Sequence, residues 1–152
     1  SLSTETGEIS APLGRRSGNR KLFGVVADGR PAVTTYAVEQ TYLGLTELAL
    51  SQYPDLKQKR TTLYEGFSLV RCHPKTGRTH QIRVHMAHLH HPIVGDSAYV
   101  GKKRAKIDVL WCPRQFLHAA QIEFMHPRSN ELVQFECPLT ADLEAVLAYL
   151  KK

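Results

Sequence analysis

The chain is short of what a disulfide scaffold or a membrane span requires. Only three of its 152 residues are cysteine. Cys72, Cys112 and Cys137 are an odd number and lie far apart, which argues against a disulfide framework and for a reducing compartment, taken here as the cytoplasm. No segment reaches the apolar length of a membrane span. The opening Ser1-Leu2-Ser3-Thr4-Glu5 is polar, so no cleavable signal is expected. Internal repeats and low-complexity tracts are absent. Acidic side chains are in deficit: 14 Asp plus Glu stand against 20 Lys plus Arg, a formal +6. The isoelectric point is near 9.4. That balance implies a polyanionic partner, most often nucleic acid. A hydrophobic share of 42% suffices for one globular domain with a real core.

What the chain does have is concentrated between Gly77 and Asp96. Gly77-Arg78-Thr79-His80-Gln81-Ile82-Arg83-Val84-His85-Met86 runs on through His88, His90 and His91 to Pro92 and Gly95-Asp96. Gly77 can take the φ > 0 geometry of a tight turn, and Thr79 can cap a following helix. Ile82, Met86 and Leu89 recur at helical spacing and predict one apolar face. His80, Arg83 and Ala87 fall on a neighbouring face, which sets Arg83 at the rim of any cleft beside the helix. The helix should end before Pro92.

Around this stretch the elements read as strands with scattered helices. Residues 1 to 12 form a polar lead-in. Gly14 to Lys21, with Arg15, Arg16 and Arg20, is either a solvated loop or a phosphate-contacting one. Ala27 to Pro31 is an Asp-Gly turn. Val33 to Tyr42 is a strand, Leu45 to Leu50 a short helix with Leu45, Leu48 and Ala49 inward, and Asp55 to Thr62 a charged connector holding Lys57, Lys59 and Arg60. Leu63 to Cys72 is a second strand leading into the central stretch. Strand, glycine turn and helix N-terminus together present backbone N–H groups and an arginine to an anion. Gly101 to Lys106, with Lys102, Lys103, Arg104 and Lys106, is a basic loop. Gln115 to Met125 and Leu132 to Glu136 are a strand pair turned by Pro127 to Asn130. A last helix starts at Thr140, carries Asp142 and Glu144 in its first turn, and packs Leu143, Val146, Leu147 and Leu150 inward. The fold class expected is α+β with a mixed, largely antiparallel sheet and flanking helices.

GRTHQIRVHMAHLHHPIVGDSAY, from Gly77 to Tyr99, resembles the signature of the RluA-type RNA pseudouridine synthases. Gly29-Arg30-Pro31-Ala32 with Thr34-Thr35-Tyr36, Phe116-Leu117-His118-Ala119 and His126-Pro127 are similar to further family segments. The likeness thus extends over nearly the whole chain. Residues 43–61 look like an insertion. The resemblance implies isomerisation of uridine in rRNA or tRNA. The N-glycosidic bond breaks and the uracil rejoins through carbon, without metal or organic cofactor. It implies that Arg83 pairs with a catalytic aspartate and that Leu117 packs against the flipped base. The family's aspartate lies in a His-Arg-Leu-Asp segment that this sequence lacks: Asp28, Asp55, Asp96, Asp108 and Asp142 are all in other contexts. Its tyrosine segment is missing too. The chain is therefore expected to be the C-terminal portion of such a domain, inactive alone and lacking the N-terminal half. Because the family sheet runs through both halves, an unpaired edge or apolar face is expected. Asp96 reads as a loop-fixing acceptor.

The rival function is a non-catalytic RNA-binding module. Arg15, Arg16, Lys102, Lys103 and Arg104 with Arg78, Thr79, His80 and Gln81 would supply its phosphate contacts. A metal site among His80, His85, His88, His90 and His91 has no matching structural-zinc spacing. Cys72 as a nucleophile sits in a strand whose alternate residues look buried. No metal and no membrane partner are expected.

Overall fold

A computed structural model describes residues 2, 5–56 and 64–152. The central unit is a three-stranded antiparallel sheet in the order β1 (Thr6–Ser10), β4 (Val33–Tyr42), β6 (Phe67–Pro74). β4 is the middle strand, with Ile9 opposite Thr34 on one side and Cys72 opposite Tyr36 on the other. Its Val, Thr and Tyr content suits a pleated surface covered on one face. A bulge between Val38 and Gln40 shifts its register against β6. The polar lead-in is thus partly a strand.

The Arg-rich segment is not an open loop. It forms the hairpin β2 (Leu13–Arg16) and β3 (Asn19–Val25) with a bulge at Arg15/Arg16. The Asp-Gly turn that follows is tied back to it, Leu13 N–H donating to the Arg30 carbonyl at 2.9 Å and Arg30 N–H to that of Leu13 at 2.8 Å. A Cβ on Gly29 would come within 2.7 Å of the Leu13 backbone, so glycine is what lets these two segments close.

Helix α1 (Glu47–Gln52) starts one element later than expected, after β5 (Gly44–Leu45) and a Thr46 cap whose hydroxyl accepts from Ala49 N–H. Leu50 rather than Leu48 turns inward; Leu48 is exposed. Lys57, Lys59 and Arg60 of the charged connector, and the Leu63 start proposed for the second strand, lie outside the described residues.

Helix α2 (Gln81–His88) ends before Pro92 as the spacing requires, and its Met86 packs with Ile9, Ala11 and Tyr36, with Ile82 and Leu89 beside them. Its cap is His80 in the left-handed region, φ 56°, and not Thr79. Gly101 to Lys106, expected as a basic loop, instead opens helix α3 (Lys102–Trp111). Ile107, Asp108 and Trp111 face inward, and Trp111 meets Phe67 edge-on at 5.5 Å, which fixes the helix despite its basic first turn. The main core joins Tyr42, Ala49, Leu50, Leu56, Ile107, Trp111 and Val146.

Of the long strand expected over 115–125, only β7 (Gln121–Met125) forms. Phe116 N–H instead goes to the Val94 carbonyl at 2.8 Å. β7 pairs with β8 (Leu132–Glu136), Asn130 taking φ 57° in the turn. Helix α4 (Ala141–Ala148) buries Leu143 and Val146, and β9 (Leu150–Lys151) closes on β5. The Thr140 hydroxyl accepts from Arg114 Nη2 rather than from the helix, while Arg114 Nε holds Asp142 at 2.6 Å and keeps its carboxyl at about 2.

Candidate active site

The turn from β6 into α2 is held by one buried side chain. Gln81 Nε2 donates to the Val33 carbonyl at 2.9 Å and to Thr34 Oγ1 at 3.0 Å. Its Oε1 accepts from the Thr76 hydroxyl at 2.7 Å and from Arg78 N–H at 3.0 Å. One helical turn on, His85 is fully buried between the Ala11 carbonyl at 3.1 Å and Thr34 Oγ1 at 2.9 Å. A carbonyl only accepts, so Nε2 carries the proton and the Thr34 hydroxyl donates to Nδ1. Every polar group of this network is paired and His85 is neutral. Burial lowers its pKa, with the Ala11 carbonyl opposing.

Arg83 emerges two residues after Gln81. Nε and Nη2 donate to Oδ2 and Oδ1 of Asp96, each at 2.7 Å, a two-point grip on a carboxylate that is wholly buried. The guanidinium lies over the Tyr99 ring at 5.0 Å. Asp96 also accepts from Ala98 N–H at 3.2 Å, so it fixes its loop, as the sequence implies, and takes Arg83 besides. The Tyr99 hydroxyl accepts from Phe23 N–H at 3.2 Å and stands 2.9 Å from His80 Nδ1. The pattern that uses every group has Tyr99 donating to Nδ1. Burial and the Arg83 cation lower the His80 pKa, which favours the neutral ring.

Arg78, His80, Gln81, Arg83 and Leu117 line one cleft of about 430 Å³, together with Gln115. Arg15, Arg16, Arg78 and Thr79 line a second groove of about 570 Å³, joined by Arg20 and Arg30 and opposed by Asp28. Gly77 and Arg78 border both, so cleft and groove meet at the glycine turn. Lys102, Lys103 and Arg104 line neither. Arg104 turns inward, its guanidinium over the Tyr64 ring at 5.1 Å.

Among the described residues no three of His, Cys, Asp and Glu converge as a metal would require. Burial pushes the Cys72 thiol up to about 11, which leaves it a poor nucleophile near neutrality. Among the described residues no helix is long and apolar enough to cross a membrane. Sequence reasoning missed Tyr99, although the three-residue step from Asp96 to Tyr99 is a visible signal. It also missed Phe23, Tyr64 and Asp108, whose partners are distant in the chain.

The RNA pseudouridylate synthase family model matches residues 3–88. An uncharacterised RNA pseudouridine synthase of Chloroflexus aurantiacus is 42% identical over 147 residues, 97% of this chain and 38% of that protein. The ribosomal large subunit pseudouridine synthase D of Vibrio parahaemolyticus is 34% identical, over 98% of this chain and 42% of its own length. The solved structure of human RNA pseudouridylate synthase domain containing 1 superposes with a TM-score of 0.69 at 26% identity, covering 96% of this chain and 54% of that one. The chain thus spans about two fifths of the length of the curated relatives it matches. With the matched segment taking in β1 to β4, the glycine turn and all of α2 with Arg83, the chain belongs to the RNA pseudouridylate synthase family, of the RluA type.

Proposed function

We propose that this chain is the C-terminal portion of an RNA pseudouridine synthase and forms one wall of its active site. The observation that carries the proposal is the setting of Arg83. Asp96 occupies its Nε and Nη2 edge, and among the described residues no group takes Nη1. The free edge belongs to a residue lining a cleft with His80 and Leu117. A carboxylate arriving there would be gripped at two points and kept ionised. Asp96 cannot be that nucleophile, because it is buried with both oxygens engaged. The reactive aspartate and the tyrosine are assigned to the segment preceding residue 1. Leu117 would pack against a uracil flipped out of its stack. No metal or organic cofactor takes part.

Two observations support a missing N-terminal half. Relatives extend well beyond this chain. The hairpin of β7 and β8 also carries one face that reads Ile122, Phe124, Val133 and Phe135 by strand alternation, with Phe124 and Phe135 stacked at 6.2 Å. Ile122 and Phe135 are 59% and 57% exposed, and the opposite face carries Gln121, Glu123, Gln134 and Glu136, with Met125 and Leu132 only at its turn end. A sheet with one apolar and one polar face normally packs the apolar one. The proposed RNA is large-subunit ribosomal RNA, on the strength of the relatives' names, in the cytoplasm; transfer RNA is the other substrate to test.

The second reading, a binding module without catalysis, is favoured by the arginine groove alone. The test incubates the chain and its full-length parent with unmodified ribosomal and transfer RNA and maps pseudouridine chemically. Product from the full-length protein and none from the chain is expected. Product from neither, with tight RNA binding whose log–log salt slope grows by about −0.7 per single-strand phosphate contact, would favour the module.

A further inference from the structure

Arg83 has a long flexible side chain on the first turn of α2, yet it is held at one angle. Tracing what holds it leads away from the cleft. Asp96 grips the guanidinium, and Asp96 itself is placed by Gly95. Gly95 sits at φ 74°, and a Cβ there would come within 2.2 Å of the Arg114 carbonyl oxygen, so this backbone position is both special and tightly seated. Gly95 N–H donates to Asp108 Oδ2 at 3.0 Å. Asp108 is the inward carboxylate of α3, fully buried, and its other oxygen accepts from the Tyr64 hydroxyl. Trp111 Nε1–H donates to the same hydroxyl at 3.3 Å, and Arg104 Nε lies 3.6 Å from Oδ2. The side chain of Asp108 thus reaches the residue next to Asp96, and Asp96 reaches Arg83.

We propose, resting on the Arg83 reading above, that Asp96 and Asp108 are positioning residues which act in series to aim Arg83, through Asp96 directly and through Asp108 by way of the Gly95 backbone. Neither touches substrate. A buried carboxylate suits each place because it has several donors to organise: two guanidinium N–H groups and the Ala98 amide at Asp96, and the Tyr64 hydroxyl and the Gly95 amide at Asp108, with the Arg104 cation beside it at ion-pair distance only. Asp96 takes one edge of Arg83, which leaves the Nη1 edge turned to whatever enters the cleft.

The test uses the full-length protein, with single-turnover rates at saturating RNA, the KM for RNA and the Arg83 Nε–H resonance of arginine-labelled protein. Asp96→Asn puts an NH2 against the guanidinium; the rate should fall by about 10²-fold, the cost of a misplaced catalytic group, with KM little changed. Asp108→Ala should lower the rate in the same way. Asp108→Asn keeps an acceptor for Gly95 and should restore most of it, which a general loss of packing would not predict. The double variant Asp96→Asn/Asp108→Ala should be no slower than the slower single one, because both act through one contact. The Arg83 resonance should broaden or move in Asp96→Asn and Asp108→Ala. Multiplying losses in the double variant would overturn the series. An unchanged resonance in Asp108→Ala would overturn the role of Asp108. If Arg83→Lys itself keeps full rate while the resonance responds as expected, the positioning claim falls together with the Arg83 role, and the fault lies with that role and not with the contacts.

Discussion

Replacing Gln81 by glutamate changes one amide NH2 for an oxygen and leaves the side-chain volume almost unaltered. The two acceptors that Nε2 now serves, the Val33 carbonyl at 2.9 Å and Thr34 Oγ1 at 3.0 Å, would face an anionic oxygen instead of a donor. The Val33 carbonyl keeps Lys75 N–H at 2.8 Å, so its cost is repulsion rather than complete loss of partners. Thr34 is worse placed. Its hydroxyl has one proton, and giving it to the new carboxylate leaves His85 Nδ1 bare in a buried site. On the other edge the bonds from Thr76 and Arg78 to Oε1 would strengthen and offset part of the loss. Leaving buried groups unpaired costs about 1–3 kcal/mol each, so the net destabilisation should be about 2–4 kcal/mol. For a chain of this size that lowers the melting temperature by roughly 4–16 °C. Scanning calorimetry of the variant beside wild type at neutral pH measures it. The gap should narrow in acid, where a protonated carboxyl regains one donor. A melting temperature within ~1 °C of wild type would show that the network around Gln81 is not what holds the turn before α2.

Two further outcomes follow from the same geometry. In the full-length protein Arg83→Lys should cost activity while leaving RNA affinity nearly intact, because lysine keeps the charge and loses the planar fork. One lost charged hydrogen bond is worth about 1.5–3 kcal/mol, hence roughly 10- to 150-fold in single-turnover rate; a loss confined to binding that fades at low salt would move Arg83 to a phosphate contact. Stability should also fall in mild acid. Burial depresses the pKa of His85 below its ordinary 6.5, and the same cause acts on His80 and His91. A depressed folded pKa means the unfolded chain binds the proton first, so stability present above about pH 6.5 is lost as pH falls through the folded values. Urea midpoints between about pH 7 and about pH 5 should decline, and a flat profile would contradict the neutral, doubly bonded His85.

Periodicity made some elements legible and hid others for identifiable reasons. α2 could be read because Ile82, Met86 and Leu89 meet a core directly beneath them, and β4 and β8 because their residues suit a strand wherever it pairs. α3 could not, since local composition weighs Lys102, Lys103, Arg104 and Lys106 and misses that Ile107 and Trp111 anchor the helix. Residues 14–21 looked like a loop because glycine, serine and arginine carry no alternation; the hairpin exists because Leu13 pairs with Val25 and Gly14 with Gly24. Residues 115–120 have strand-like composition, but the Phe116 amide goes to the Val94 carbonyl and the Leu117 amide to that of Gln115, so this stretch joins no ladder before Gln121.

The site divides along the same line. The rim position of Arg83 was legible because helical spacing sets its face, while its pairing with a catalytic carboxylate is only what the family resemblance implies. Asp96 and Asp108 were not, because nothing near them in sequence says that they are buried. Asp28 and Asp55 are exposed carboxylates in comparably short local contexts. The difference lies in donors that come from elsewhere: Arg83 arrives at Asp96 from thirteen residues away, and Tyr64 at Asp108 from forty-four. Burying a carboxylate without such donors would be prohibitive, so the burial of these two is a consequence of the tertiary fold and not of their own surroundings. A charged residue that orients a functional group is therefore the part of a site least readable from the chain. At Asp96 the sequence reading reached a loop-fixing acceptor, which the Ala98 amide matches; the left-handed backbone of Gly95 and the guanidinium of Arg83 come only with the tertiary fold.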